Sequence, residues 1–250
     1  MPSELPLLVG AGFLLGAIFG SFLATIVIRW PAGRSVLAGR SACDGCGRAL
    51  GIVDLLPLAG YALRRGRCAS CGAAIDRRHP AIELACAAIG AISFAMAPGL
   101  AGLFGAVFGW LLVTLAVLDA EHFWLPNPLV GALALIGLAG GVADVGVDLP
   151  ARLFGGLAGF VALSAIALGY RLLRGRAGMG GGDPKLLGAI GLTLGWQALP
   201  LVLLGGALTG LGLIALRWLR GGVVRADQEL PFGTLMAVVA WPLWLVATMG

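Results

Sequence analysis

The chain is 250 residues long, 59% hydrophobic and only 12% charged, with 42 glycines and a formal net charge of +5. Soluble domains carry roughly 25% charged residues, so a soluble body is excluded. The basic balance does not point to nucleic acid either, because Lys and Arg stand in loops between apolar runs, where they set membrane orientation.

Apolar stretches of spanning length recur from end to end, which reads as one all-α polytopic membrane protein rather than a soluble domain with an anchor. The first, Leu7–Ile28, lacks the basic n-region and small-residue cleavage site of a removable signal peptide and is expected to be a retained helix. The segment from Arg29 to His79 is not a membrane segment and holds four of the five cysteines. Cys43-x2-Cys46 and Cys68-x2-Cys71, with 21 residues between the pairs, have close to the spacing of a four-thiolate tetrahedral zinc site. With all four positions filled by thiolates, the metal would be structural Zn2+ rather than catalytic. A module of this size has too small a core to fold unaided, and a metal supplies what the core lacks. Disulfides are the alternative, disfavoured in a cytosol-facing loop. Cys86, in an apolar helix, reads as a small core residue.

Seven further spans are expected at Pro80–Ala97, Leu100–Leu118, Pro128–Ala143, Leu153–Leu173, Lys185–Trp196, Leu201–Leu216 and Pro231–Met249, giving about eight transmembrane helices. The domain reading is a first transmembrane helix at 1–29, a four-cysteine zinc-binding cytoplasmic loop at 30–79 and a seven-helix core at 80–250. The sixth and seventh spans are short enough to be merged into one, but charge argues against it. Nine arginines lie between Arg29 and Arg78, three between Arg171 and Arg176, and three between Arg217 and Arg225, which is 15 of the 17 basic residues. With eight spans these loops share one face, the cytoplasm by the positive-inside rule, leaving only Arg152 opposite and Lys185 at a membrane edge.

Of twelve carboxylates, few are placed for buried work. Asp119 ends the third expected span and Asp183 precedes the sixth, both at cytoplasmic helix ends. Ionisable groups at membrane depth cost roughly 2.5–3.5 kcal/mol on insertion scales, so function is the default reading. Two carboxylates brought together hold one proton between them, the arrangement aspartic proteases use to activate water and protonate a leaving group. For Asp183 the competing reading is an ordinary helix start, Asp at the N-cap and Pro184 at N1; for Asp119 it is an interfacial carboxylate. Gly180 and Gly182 allow close backbone approach of a peptide substrate. Lys185 could neutralise the pair, hold the helix end or contact a substrate carboxylate. The only histidines, His79 and His122, make no H-E-x-x-H helix and leave no base within a span for a serine nucleophile. His122 and Glu121 read as exposed loop residues, and Glu83 has no assigned role.

In order along the chain stand Phe19-Gly20-Ser21-Phe22-Leu23 with Arg29-Trp30-Pro31, the two cysteine pairs with Asp54-Leu55-Leu56-Pro57, and Arg78-His79-Pro80-Ala81-Ile82-Glu83-Leu84. They are followed by Asp119 with Leu125-Pro126-Asn127, Gly178-Met179-Gly180-Gly181-Gly182-Asp183-Pro184-Lys185, and Leu230-Pro231-Phe232-Gly233. This succession resembles the type IV prepilin peptidases, the G-x-G-D intramembrane aspartyl proteases. The resemblance implies Asp119 and Asp183 as catalytic residues and cleavage of the basic leader from type IV prepilins or type II secretion pseudopilins. It places the protein in the bacterial inner membrane, with the active site facing the cytoplasm. It also implies a second activity, methylation of the new pilin N-terminus with S-adenosylmethionine. Ala24, Asp44 and Asn127 depart from the family's usual Asn, Pro and Asp. Two rivals are an ion- or proton-coupled transporter, which would show repeated hydropathy between halves, and a non-enzymatic pilus assembly factor.

Overall fold

A computed structural model describes residues 4–37, 39–175, 178–222 and 229–248. Among these residues the structure is helical, with no strand and two isolated bridges, Ala42 with Ala49 and Arg67 with Ala74. Eight helices occupy the expected places: α1 (Leu5–Arg29), α4 (Arg78–Met96), α5 (Leu100–His122), α6 (Asn127–Val142), α7 (Leu149–Arg174), α8 (Asp183–Leu194), α9 (Leu199–Leu219) and α10 (Phe232–Ala247). Two short ones, α2 (Ile52–Leu55) and α3 (Ala59–Leu63), lie in the cysteine loop. Five are long and apolar enough to cross a membrane: α1, α4, α5, α7, and α9 together with the 3-10 turn before it. The apolar α6 and α10 have 16 residues each. The 12 residues of α8 reach only about 18 Å against a hydrocarbon core of about 30 Å. A count of spans above five therefore rests on the charge distribution.

The chain divides into two compact units, residues 1–110 and 111–250. In the first, α1 packs along α4. Gly12, Gly16 and Gly20 form a small-residue stripe of the kind that lets membrane helices approach closely. A Cβ on Gly12 would meet the Gly90 carbonyl oxygen at 2.5 Å, and one on Gly20 the Glu83 Cα at 2.8 Å. Trp110 donates its indole N–H to the Cys86 carbonyl at 2.7 Å and stacks on Phe19 at 5.2 Å. Cys86 is fully buried, as its apolar surroundings require.

In the second unit α8 is the central helix, packed by α6, α7 and α10. Most of its residues are buried. Gly155 of α7 lies against Gly191 of α8, and Gly159 against Leu187. The chain leaves α8 at Gly195, whose φ of +77° favours glycine, turns through Trp196–Ala198 and starts α9. This break keeps the sixth and seventh expected helices separate.

Arg152 is only 4% exposed, and among the described residues no carboxylate stands in hydrogen-bond contact with it. Its guanidinium donates to Gly137 O at 3.0 Å, Leu192 O at 3.2 Å, Thr193 O at 2.7 Å, Val145 O at 2.5 Å and, through Nε, Val147 O at 2.7 Å. Leu192 and Thr193 lie in the last turn of α8, whose carbonyls have no partner within the helix and carry the negative end of its dipole. The one arginine that charge counting left on the far face is thus a clamp joining α6, α7 and α8. Each buried carbonyl stripped of its donor costs about 1–3 kcal/mol. Arg152→Ala is therefore expected to lower the thermal midpoint sharply in detergent, by the equivalent of more than about 3 kcal/mol. Arg152→Lys recovers only part of this, because an ammonium lacks the planar fork. A midpoint for Arg152→Ala within a degree of the parent would refute the clamp.

Candidate active site

Asp119 lies one turn inside α5 rather than at its end. The helix continues through Glu121 and His122 and stops at Phe123, which has φ of +50° and donates its N–H to Asp119 O at 2.9 Å. Leu125 and the buried Pro126 then lead into α6, whose first residues are Asn127 and Pro128, a proline-fixed start. Glu121 and His122 are half-exposed and face one another at 3.7 Å.

Asp183 is the first residue of α8, with Gly182 at the N-cap. Its carboxylate does not cap its own helix. Oδ2 turns back to accept the Gly180 N–H at 3.0 Å, closing the glycine turn on itself. Gly180 thus supplies a backbone donor to the aspartate. Gly182 is small for packing, since a Cβ there would meet Leu125 Cβ at 2.8 Å. Lys185 donates to Asn127 Oδ1 at 2.9 Å, tying α8 to α6 at an exposed position.

The two aspartates come together. Each is only 5% exposed, the Gly233 position lies against Asp119 Oδ2, and Leu125 packs against both Gly233 and Gly182, the residue before Asp183. The third participant is the N-terminus of α10. Thr234 donates its backbone N–H to Asp119 Oδ2 at 2.7 Å and its hydroxyl to the same oxygen at 3.1 Å. A helix N-terminus presents unpaired N–H groups and positive partial charge, so it holds a carboxylate from elsewhere in the chain as readily as its own cap. Gly233 is small of necessity: a Cβ would stand 2.9 Å from Asp119 Oδ2 and 2.9 Å from Leu125 Cδ1. Leu125 is the shared wedge, against Gly182 on one side and Gly233 on the other. Thr234 gives no sign of itself in the sequence, because its hydrogen bonds arise only when α10 meets α5.

In the other unit the four cysteine sulfurs lie within 4.8 Å of one another, and Cys43 Sγ is 3.8 Å from Cys71 Sγ. A tetrahedron with metal–sulfur bonds of about 2.3 Å has edges of about 3.8 Å, so the cluster could hold a metal ion. Both pairs sit on the same turn, repeated. Cys43 N–H donates to Arg48 O at 2.9 Å and Gly47 N–H to Cys43 O at 2.9 Å; the corresponding bonds, Cys68 to Ala73 O at 2.8 Å and Gly72 to Cys68 O at 3.0 Å, recur in the second pair. Backbone N–H groups of Cys71 and Ser70 pull the Cys68 thiol down to about 6, favouring the thiolate that binds metal. Asp54 accepts the Gly51 N–H and pairs with Arg48 at 2.8 Å and Arg64 at 2.7 Å, which holds its carboxyl down at about 2. The module docks on α4 through Glu83, 6% exposed, whose Oε2 accepts the Leu58 N–H at 2.8 Å. That gives the unassigned glutamate a structural role. A cavity beside it is lined by Arg29, Asp54, Tyr61, Arg67, His79 and Glu83, among others.

A helical chain with spanning-length segments, two buried aspartates near a helix N-terminus and a four-cysteine module is, by class, a polytopic membrane protein. Residues 106–216 match the type IV leader peptidase family, and residues 14–97 match the bacterial peptidase A24 N-terminal domain. The prepilin leader peptidase/N-methyltransferase of Dickeya chrysanthemi is 38% identical, with 90% of this chain and 88% of that protein aligned. Those of Aeromonas hydrophila (33%; 92% and 87%) and Pseudomonas aeruginosa (34%; 91% and 87%) are similar over the same extent. The chain belongs to the type IV leader peptidase family. No solved structure gives a significant match.

Proposed function

We propose that this protein is a membrane aspartic endopeptidase that removes the basic leader from type IV prepilins or type II secretion pseudopilins, with Asp119 and Asp183 as the catalytic pair. The meeting of two buried carboxylates, Asp119 on the Gly233–Thr234 turn and Asp183 across Leu125 from it, carries this reading. Two carboxylates brought together hold one proton between them, leaving an acid beside a base. The base takes a proton from water, which attacks the scissile carbonyl carbon, and the acid protonates the carbonyl oxygen; the C–N bond then breaks as the carboxyl that took the proton gives it to the leaving amine. Closure around the substrate helix excludes bulk water. Asp183 is oriented by Gly180 and Asp119 by Thr234, so neither carboxylate has to be ordered by the substrate. The charge distribution supports a site at the cytoplasmic face of the bacterial inner membrane, where the Arg-rich loops lie. Incubating the purified protein with a prepilin precursor in detergent tests the reading: a peptidase shortens the precursor, whereas a transporter or an assembly factor leaves it intact.

The four cysteines suit structural Zn2+, which would close the two turns on one another and complete a module too small for a core of its own. The names of the relatives support a second activity, methylation of the newly exposed N-terminus with S-adenosylmethionine. When bound, the donor supplies an electrophilic methyl group to that amine. The cavity beside Glu83 fits such a ligand in kind: Arg29 and Arg67 suit its carboxylate, Glu83 its amine, and Tyr61 a ribose hydroxyl or the base. Equilibrium binding of S-adenosylmethionine to the purified protein is expected to saturate, and Arg67→Ala to weaken it about tenfold or more. Absence of saturable binding would exclude this cavity as the donor site.

A further inference from the structure

We propose that Thr234 is a positioning residue for the peptidase reaction, its hydroxyl acting as a two-position rotor that keeps Asp119 aligned whether or not that carboxyl holds the shared proton. The inference rests on the catalytic-pair reading and adds to it a residue outside the two aspartate motifs.

Thr234 Oγ1 lies 2.8 Å from Ala116 O and 3.1 Å from Asp119 Oδ2. A hydroxyl has one proton to give and two lone pairs to accept with. A backbone carbonyl only accepts. The hydroxyl therefore cannot donate to Ala116 and Asp119 at once, yet it stands within reach of both. When Asp119 is ionised, the proton turns to Oδ2, which also receives the Thr234 backbone N–H at 2.7 Å. When Asp119 carries a proton on Oδ2, that proton points to Oγ1, and the hydroxyl proton rotates to Ala116 O. Each state leaves the same atoms in place with a different direction of donation, so no side chain has to move when the proton changes hands. Both Thr234 bonds fall on Oδ2.

The same geometry explains why the neighbour is glycine. The α10 N-terminus must come close enough for Thr234 to reach Asp119, and a Cβ at Gly233 would stand 2.9 Å from the same oxygen. Among the described residues the charged group facing Asp119 is Asp183 from α8, with the α10 dipole at Oδ2.

The test compares Thr234→Val, which keeps the shape and the backbone N–H but loses the rotor, with Thr234→Ser, which keeps the hydroxyl and the backbone N–H but drops the methyl. Cleavage kinetics on a prepilin precursor are read together with the thermal midpoint in detergent. For Thr234→Val, kcat is expected to fall about ten- to a hundredfold, the scale of one hydrogen bond to a charged group, with KM within about twofold. Thr234→Ser is expected to hold kcat within about threefold of the parent, because the hydroxyl survives. Parent-like kcat in Thr234→Val overturns the proposal. So does equal loss in both variants, since the hydroxyl that serine keeps would then not carry the effect, or a loss confined to KM or to thermal stability. Full activity of Asp119→Asn would instead bring down the catalytic pair itself, so the two failures are told apart.

Discussion

Asp119→Asn and Asp183→Asn are each expected to abolish leader removal, by a factor of about a thousand or more, while leaving the protein inserted and folded. General acid–base groups contribute roughly 10²–10⁴-fold apiece, and here each carboxylate depends on the other: an amide cannot share a proton, so changing either member disables both. Asparagine keeps size and shape. Its amide oxygen can still accept the Gly180 N–H at position 183, or the Thr234 N–H at position 119, so the loss is one of chemistry rather than of folding. The measurement is precursor shortening, by gel or mass spectrometry, at matched protein levels, with the processed N-terminus reporting cut position and methylation together. Substantial residual cleavage by Asp183→Asn would remove Asp183 from the chemistry. A pair sharing one proton titrates as a unit, so on this reading the pH–rate profile of the parent is expected to be bell-shaped, with two apparent values that belong to the dyad rather than to either residue.

The second large effect concerns the cysteine module. Substituting any one of Cys43, Cys46, Cys68 or Cys71 by Ser is expected to drop bound zinc from about one ion per chain to near zero, since a structural site needs all four thiolates. The module then loses most of its order, because metal binding and folding are one free energy in domains of this size, about 10–16 kcal/mol for structural zinc at neutral pH. Apart from its short turns, polar contacts hold it, among them the Asp54 ion pairs, Arg34–Asp44 and the Glu83–Leu58 bond. Its many arginines make limited trypsin digestion the direct readout, with the variant cut between residues 30 and 79 under conditions that spare the parent. Strong chelation should reproduce the digestion pattern in the unsubstituted protein. Metal analysis finding no zinc in reduced, unchelated protein would refute the assignment.

Glu83 and Arg152 mark where reading residues along the chain stops being sufficient. Each is a charge in an apolar helix, and the general rule makes such a group a functional candidate. Glu83 turned out to accept the N–H of Leu58, and Arg152 to donate to five carbonyls from α6, α8 and the turn before α7. Their partners are backbone atoms, which every residue carries, so no side-chain pattern could have pointed to them. The repeated cysteine turn, by contrast, was visible in advance: Cys43 and Cys46 followed by Gly47 are matched by Cys68 and Cys71 followed by Gly72, and both glycines have φ near +70°.

What the amino-acid order determined by itself was whatever depends on neighbours along the chain. That includes the membrane class, from apolar run length; the places of the eight helices; the metal-type cysteine spacing; and the two aspartates as candidates, since an acid beside an apolar run stands out. The tertiary structure decided the rest. It carried α5 past Asp119, turned the Asp183 carboxylate back to Gly180 rather than onto its own helix, and gave Lys185 to Asn127. It also brought the N-terminus of α10 to Asp119, making Gly233 and Thr234 part of the site. The physical reason is range. Hydropathy and helix starts are settled within a turn or two, whereas a hydrogen bond between residues 119 and 234 exists only after packing has closed the chain between them.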